Sequence, residues 1–468
     1  SITLPGSLTT IESNSFYKCE FLSEIKFLKN ENNVNNLSYI GDHAFDKTII
    51  QSITIPGKIK HIGSYCFPST LKQINFEDGA PYLEKVKCNA FKNTQIEFIN
   101  MPSNIIPFVQ SKNIFYGCKK LKKLIFDYFV NKNESIQINN EDENDEINEL
   151  AISTMFSQFK LEQLELFVSN INYFLFYNTP NLNKITIPKS DNAKFIKQDG
   201  CLYTKNKKKL IVAERNVKNV KICSECQIIT NYAFNIKCLE KVLFEKNSEL
   251  KTISYLVFYE SKIKDIVIPD TVKLIDYGSF LNCKNLESVK IPHSMSCIES
   301  VTFSYTNLRE ITIPKNITVI GYGVFFNCTQ LQSVKFENDS NLSEIEDNVF
   351  VNTKIKTISI PKSVKKIGNY CFANCHDLKS IEFDVSQSNL TELGIGCFQN
   401  TQIEKFQLPQ KIEKFDFSFT NAVDVCFANS CSLPFIANLN SSKIKQISIP
   451  SSVKEICSHA FHDCLNLT

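Results

Sequence analysis

Phe280-Leu-Asn-Cys283-Lys-Asn-Leu286-Glu-Ser-Val289-Lys-Ile291-Pro292 decides the fold, because the chain repeats it. The next copies read Phe303-Ser-Tyr-Thr306-Asn-Leu308-Arg-Glu-Ile311-Thr-Ile313-Pro314 and Phe325-Phe-Asn-Cys328-Thr-Gln-Leu331-Gln-Ser-Val334-Lys-Phe336. Outward from this stretch, marker phenylalanines recur at Phe16, Phe45, Phe67, Phe91, Phe115, Phe156, Phe176, Phe234, Phe258, Phe280, Phe303, Phe325, Phe350, Phe372, Phe398, Phe417, Phe435 and Phe461. From Phe234 to Phe398 the intervals are 24, 22, 23, 22, 25, 22 and 26 residues. So regular a spacing explains why 468 residues contain 37 Phe but no Trp.

Each unit has a physical reading. In Leu-x-x-Ile-x-Ile-Pro the last two aliphatics alternate with a polar residue, the pattern of a short half-buried strand. Proline closes it, because it has no N–H to give to a ladder. A second apolar pair follows, as in Val364-Lys-Lys-Ile367-Gly368, where glycine suits a sharp turn. The marker Phe comes next, usually after a small residue such as Ala44, Cys66, Ala90 or Ala460, and is read as pointing inward from a helical or 3₁₀ turn. A period near 23 with short strands is that of a leucine-rich repeat solenoid: parallel β-strands in stacked coils, about 20 repeats in one continuous domain over 1–468. At about 4.8 Å per coil the ladder would run on the order of 95 Å. Both ends cut a unit midway, which reads as a fragment of a longer chain.

A superperiod lies over the repeat. Three residues after the marker the chain alternates Cys283, Thr306, Cys328, Thr353, Cys375 and Thr401. Thr-type units tend to end in Ile-Pro (Ile313-Pro314, Ile360-Pro361). Most Cys-type units end in Phe and an acidic or polar loop (Phe336-Glu337, Phe383-Asp384). The pattern points to duplication in pairs of coils.

Units such as Ile358-Ser-Ile-Pro361-Lys-Ser-Val364-Lys-Lys-Ile367-Gly368-Asn-Tyr-Cys-Phe372-Ala-Asn-Cys375 resemble the Treponema-type leucine-rich repeats of BspA-like proteins, over nearly the whole chain. Gly200-Cys-Leu-Tyr203-Thr-Lys-Asn-Lys-Lys-Lys-Leu210 resembles the hairpin segment that such proteins insert between repeats. The resemblance implies a surface or secreted protein of a bacterium or parasitic protist, engaged in adhesion to host matrix, host cells or other microbes.

Two stretches break the rhythm. One is an acidic insertion near 131–150. The other is the hairpin insertion near 195–217, with Lys205, Lys207, Lys208 and Lys209 placed at its turn. Both read as solvated insertions, with opposite-sign recognition points as the sharper alternative.

The composition narrows function. Charged residues are 22% and the formal net charge is +3, which gives no reason to expect nucleic acid or anionic membrane as partner. No apolar run approaches the ~18 residues of a membrane span. Alternation puts Cys283, Cys328 and Cys375 two coils apart, about 9.6 Å, beyond the ~7 Å limit for a disulfide. They read as free buried thiols. Cys223-Ser-Glu-Cys226 is one isolated CxxC without a second ligand pair, so no metal is expected. His459-Ala-Phe-His462-Asp-Cys464 imitates a metal cluster, but Phe461 is the buried marker and both histidines read as solvent-facing. His61, His293 and His376 are scattered, and no nucleophile has a base beside it. There is no Gly-rich phosphate loop. No cofactor and no catalytic residue are expected.

Function then falls to a surface. The residue between the two inward aliphatics of each strand points outward in register, giving a stripe of Lys26, Thr54, Asn75, Asn100, Ile125, Glu165, Thr186, Leu243, Val267, Lys290, Thr312, Lys335, Ser359, Glu382, Gln407 and Ser448. Ile125, Leu243 and Val267 are apolar exceptions and candidate contact points. Expected partners are proteins or glycans, met through many weak contacts. Two functions compete: an adhesin-like module at a cell surface, or an intracellular scaffold in a filament or cytoskeletal assembly. Sequons such as Asn316-Ile-Thr318 and Asn389-Leu-Thr391 fit secretion, whereas the 18 cysteines fit a reducing compartment.

Overall fold

The computed structural model describes residues 1–77, 80, 82–102, 114–127, 163–166, 182–187, 195–416, 421–428, 431, 433–436, 443–462 and 464–468, with backbone alone at 102, 124–127 and 163–166. The acidic insertion and Phe156, Phe176 and Phe417 lie outside these residues. Two compact units emerge: Ser1–Asn206 with Ile211–Asn216, and Lys207–Leu210 with Val217–Thr468.

Each unit is a stack of parallel coils, with no α-helix among the described residues. In the first unit, Phe98–Pro102, Lys123–Asp127, Gln163–Leu166 and Lys184–Thr186 pair as one parallel ladder. Ile2–Leu4 pairs with Ile25–Phe27, and Ser52–Ile55 with Gln73–Phe76. The second apolar pair of each coil builds its own sheet of two-residue strands, such as Thr10–Ile11, Tyr39–Ile40, His61–Ile62 and Lys85–Val86. In the second unit that narrow sheet runs from Cys297–Ile298 through Val319–Ile320, Glu344–Ile345 and Lys366–Ile367 to Glu392–Leu393. One inward aliphatic per strand, such as Ile320, Ile345 or Ile367, is fully buried.

The markers fill the space between the sheets. Phe45, Phe91, Phe115, Phe234, Phe258, Phe280, Phe303, Phe325 and Phe350 are among the largest fully buried side chains. In the first unit the rings of Phe16, Phe45, Phe67, Phe91 and Phe115 stack 5.0–6.2 Å apart. In the second, Phe234, Phe258, Phe280, Phe303, Phe325, Phe350, Phe372 and Phe398 stack at 5.0–5.9 Å. Such pairs add about 0.5–1.5 kcal/mol to the burial of each ring.

The stretch around the marker is a run of turns, not the expected helical turn. Ser279, Leu281 and Cys283 donate N–H bonds to the carbonyls three residues back, at Asp276, Gly278 and Phe280. Residues two before and two after the marker take positive φ: Gly278 (60°) and Asn282 (61°), Val301 (48°) and Tyr305 (58°), Asn348 (59°) and Asn352 (58°). Two left-handed residues within five rule out a right-handed helix. Asparagine tolerates this region better than other side-chain-bearing residues, which accounts for Asn282, Asn327, Asn352, Asn374 and Asn400 at the later position. The marker N–H bonds sideways instead: Phe325 donates to Val349 C=O (3.0 Å) and Phe350 to Cys371 C=O (2.8 Å).

The glycine after the second apolar pair serves close approach, not a turn. A Cβ on Gly368 would fall 2.5 Å from Asp347 N and 2.6 Å from Glu346 C on the preceding coil. Gly323 differs: its φ is +58°, yet the nearest atom to an added Cβ is Val301 Cγ1 at 3.4 Å. Gly368→Ala is therefore expected to cost about 1–3 kcal/mol through backbone displacement, and Gly323→Ala about 1 kcal/mol through conformation alone. Denaturant melts of both variants check the order.

Phe435 is not an inward marker. It opens the strand Phe435–Ile436, which pairs with Glu455–Ile456, and it is exposed. Leu433-Pro-Phe-Ile436 is an instance of the Val364-Lys-Lys-Ile367 pattern, so buried Leu433 and Ile436 set the register and Phe435 falls outward.

The superperiod has a structural counterpart. In the second unit Asp265–Val267 pairs with Ser288–Lys290, Glu310–Ile313 with Ser333–Phe336, and Thr357–Ser359 with Ser380–Glu382. Each pair joins a Thr-type (or Ser261-type) coil to the Cys-type coil after it. The same coils share a buried contact. Thr306 Oγ1 donates to Phe303 C=O (2.8 Å), the Cys328 thiol donates to that carbonyl (3.1 Å), and the hydroxyl and sulfur lie 3.2 Å apart. Thr353 and Cys375 repeat the contact on Phe350, Ser261 and Cys283 on Phe258, and Thr94 and Cys118 on Phe91. The two-coil unit is thus a unit of hydrogen bonding.

Candidate functional site

The outward stripe can be followed strand by strand. Lys26, Thr54, Asn75, Leu243, Val267, Lys290, Thr312, Lys335, Ser359, Glu382, Gln407 and Ser448 are exposed, and Asn100 and Thr186 are half-buried. For Ile125 and Glu165 only the backbone is described, and it pairs Asn100 with Ile125, Ile125 with Glu165, and Glu165 with Thr186. Thr54 faces Asn75, Val267 faces Lys290, Thr312 faces Lys335, and Ser359 faces Glu382. Register adds three members that the repeat reading passed over: Thr3 beside Lys26, Lys221 beside Leu243, and Cys426 beside Gln407. Their signal was present as Ile2-Thr-Leu4 and Val220-Lys-Ile222, which share the alternation without a marker Phe at the usual distance before them, and as Val425-Cys-Phe427, which follows Phe417 at the usual eight residues.

Leu243 is 48% and Val267 74% exposed. Around them stand ion pairs between neighbouring coils: Lys221 with Glu245 (3.2 Å), Lys290 with Asp270 (3.4 Å), and Lys264 and Arg309 each with Glu287 (3.7 and 3.6 Å). Hydrogen bonds from the Lys221 ammonium and the Ser224 amide hold the Glu245 carboxyl below its ordinary range. These exposed pairs contribute little to stability. They make a polar rim about an apolar centre. Where one two-coil unit meets the next, a cleft of about 490 Å³ opens between Lys335, Glu337 and Asp339 on one side and Thr357, Ser359 and Lys362 on the other.

A second exposed row was not foreseen. Tyr277, Tyr305, Tyr322 and Tyr370 are each 41–49% exposed on the turn stretches, next to the buried markers. Tyrosine supplies large, rigid contact area at low entropic cost.

In the hairpin insertion Phe195–Gln198 pairs antiparallel with Cys201–Thr204. Its first turn is Asp199-Gly200, both at positive φ; Lys205, Lys207 and Lys208 sit at the turn that follows Cys201–Thr204, where the sequence reading put them, and Lys209 opens the next strand, Lys209–Ala213. Asp-Gly takes the tight turn because both residues enter the left-handed region easily. Lys207 pairs with Glu225 (3.6 Å) and Lys208 with Glu249 (2.8 Å).

None of the cysteines stands in a disulfide. Cys283, Cys328 and Cys375 are fully buried. Burial pushes the Cys283 thiol up to about 12 and those of Cys328 and Cys375 up to about 11. Cys223 and Cys226 are buried as well, and burial pushes Cys226 up to about 12. His459 and His462 are exposed, their rings 5.6 Å apart. Among the described residues no three His, Cys, Asp or Glu side chains come together as a metal set. No helix among them is long and apolar enough to cross a membrane.

Stacked parallel coils with a buried Phe column and an outward polar stripe define a leucine-rich repeat solenoid. The chain belongs to the BspA-type leucine-rich repeat family, whose model matches residues 1–122, 212–332, 298–433 and 433–468 in 6 copies. No curated protein matches it. Among solved structures it is similar to a leucine-rich repeat protein of Bacteroides ovatus, at 22% identity over 59% of this chain and 84% of that one (TM-score 0.37). It is also similar to the pneumococcal vaccine antigen PcpA, at 18% identity over 91% and 78% (TM-score 0.31). A leucine-rich cell surface protein of Faecalibacterium prausnitzii matches at 19% identity over 84% and 82% (TM-score 0.30).

Proposed function

We propose that the chain is a non-enzymatic binding module that meets proteins or glycans through the outward stripe, and that it acts in adhesion at a cell surface. The observation that carries the reading is the Leu243–Val267 pair, exposed on strands of the main sheet and rimmed by ion pairs. An apolar centre in a polar rim is the anatomy of binding hot spots.

The test presents the purified chain to immobilised extracellular-matrix proteins and to a glycan array. It then repeats each positive with Leu243→Lys/Val267→Lys. Both side chains face solvent, so the variant keeps the fold, and loss of a hot spot of about 2 kcal/mol weakens binding roughly 30-fold. Unchanged binding in the double variant, with loss in Tyr322→Ala/Tyr370→Ala, would move the contact face to the turns. No binding by the chain to any matrix protein or glycan would remove the adhesion reading.

A second reading, an intracellular scaffold, is favoured by the count of 18 cysteines, since thiols persist most readily in reducing compartments. The sequons do not separate the two. Ile317 and Leu390 are core residues, and the Thr318 and Thr391 hydroxyls donate to Ser296 C=O (3.0 Å) and Lys365 C=O (3.2 Å) on the preceding coil. The repeat alone accounts for Asn-x-Thr at that position.

A further inference from the structure

The two-coil spacing that separates Cys283, Cys328 and Cys375 does not govern every cysteine column. Cys371 and Cys397 each precede a marker Phe, on consecutive coils. Phe372 N–H donates to Cys397 C=O (2.8 Å), Tyr370 N–H to Ile395 C=O (2.8 Å), and the Phe372 and Phe398 rings stack at 5.7 Å. This is a parallel register that sets Cys371 directly against Cys397. In-register neighbours on adjacent parallel strands lie about 4.8 Å apart, within the roughly 4.4–6.8 Å between Cα atoms that a disulfide spans. Both side chains are fully buried. The third thiol nearby, Cys375, is engaged with Phe350 C=O (3.0 Å) and Thr353 Oγ1 (3.1 Å).

The position of the pair gives it a consequence. Ser380–Glu382 ladders with Thr357–Ser359, and Lys405–Leu408 with Asp424–Phe427. Among the described residues no main-sheet ladder joins Ser380–Glu382 to Lys405–Leu408. Cys371 belongs to the first of these two-coil units and Cys397 to the second. A bond between them would staple the step that the main sheet leaves open.

We propose that Cys371 and Cys397 are a disulfide site, closed when the chain folds in an oxidising environment and left as two thiols when it folds in a reducing one. The oxidant is a low-molecular-weight disulfide. One cysteine thiolate attacks it, forms a mixed disulfide and releases one small thiol. The second cysteine thiolate then attacks the protein sulfur and releases the other. In sum the pair gives up two electrons and two protons, and the small disulfide is reduced to two thiols. Because folding buries both sulfurs, the exchange belongs to the folding chain and not to the finished core.

The experiment refolds the reduced, denatured chain in mixed oxidised and reduced glutathione, quenches with an alkylating agent, and maps peptides without reductant. The expected product carries a Cys371–Cys397 link, while Cys283 and Cys328 are recovered alkylated after unfolding. Cross-linked protein melts at a higher temperature than the same protein after reduction, and Cys371→Ala and Cys397→Ala each abolish link and increment. These variants fold, because alanine holds the same position at Ala44, Ala90 and Ala233. Recovery of Cys371 and Cys397 as free thiols from correctly refolded chain overturns the proposal, as does a dominant link through Cys375. Neither result bears on the binding stripe.

Discussion

Phe325→Ala is expected to lower the free energy of unfolding by about 3–5 kcal/mol. The ring is fully buried and stacks on Phe303 at 5.9 Å and on Phe350 at 5.5 Å, so truncation removes two ring contacts and leaves a cavity shared by three coils. Turns that carry left-handed residues and sideways hydrogen bonds on both sides cannot slide inward to refill it. A stack of repeats need not unfold in one step, so amide hydrogen exchange is the better readout. Protection should fall first in the coils around Phe303, Phe325 and Phe350, with little change near Phe16. Tyr322→Ala, three residues away but half-exposed, is the control. Equal loss in the two variants would mean that the marker column does not hold the coils together.

The second large effect is alkaline. Burial raises the thiols of Cys118, Cys328 and Cys375 to about 11 and those of Cys226 and Cys283 to about 12, from an ordinary value of 9.0. Above pH 9 the unfolded chain releases these protons while the folded chain keeps them. Stability therefore falls as pH rises from about 9 toward 11–12, and it is unaffected by these groups below pH 8. Each such thiol costs about 1.4 kcal/mol per pH unit in that window. Five together give a loss on the order of 7 kcal/mol between pH 7 and pH 10. Denaturant midpoints at the two pH values measure it. Cys328→Thr, which installs the residue of the alternate coils, should remove its own share of the slope. A midpoint independent of pH over this range would show that the thiols are not sealed.

How far the sequence could be read follows from which forces act locally. Alternation of apolar and polar residues over three or four positions fixes a strand and the side each residue takes, so Val267 or Lys335 could be placed outward from spacing alone. The interval between large buried rings fixes the coil length, so the Phe column was legible too. The turn geometry was not. Asn282 and Asn352 look like polar loop residues until their positive φ shows that backbone conformation selects them. Phe435 was assigned by ring type, although the Leu433-Pro-Phe-Ile436 register decides where it points. The Cys–Thr alternation was visible as a pattern, but its chemistry needs the Phe303 carbonyl from a neighbouring coil, 25 residues from Cys328. Cys371 and Cys397 were passed over because disulfide spacing was worked out only for the alternating column of Cys283, Cys328 and Cys375. Which stripe residues make contact is decided by a partner, and no pattern within one chain encodes that.

Hydroxyl-radical footprinting read by mass spectrometry tests the shared interior columns most directly, because it labels side chains according to their access to water. Phe258, Phe280, Phe303, Phe325 and Phe350 should remain unlabelled in the folded chain, while Tyr277, Tyr305 and Tyr322 react and every one of these rings reacts after denaturation. Labelling of the marker phenylalanines in the folded chain at the rate of those tyrosines would contradict the account.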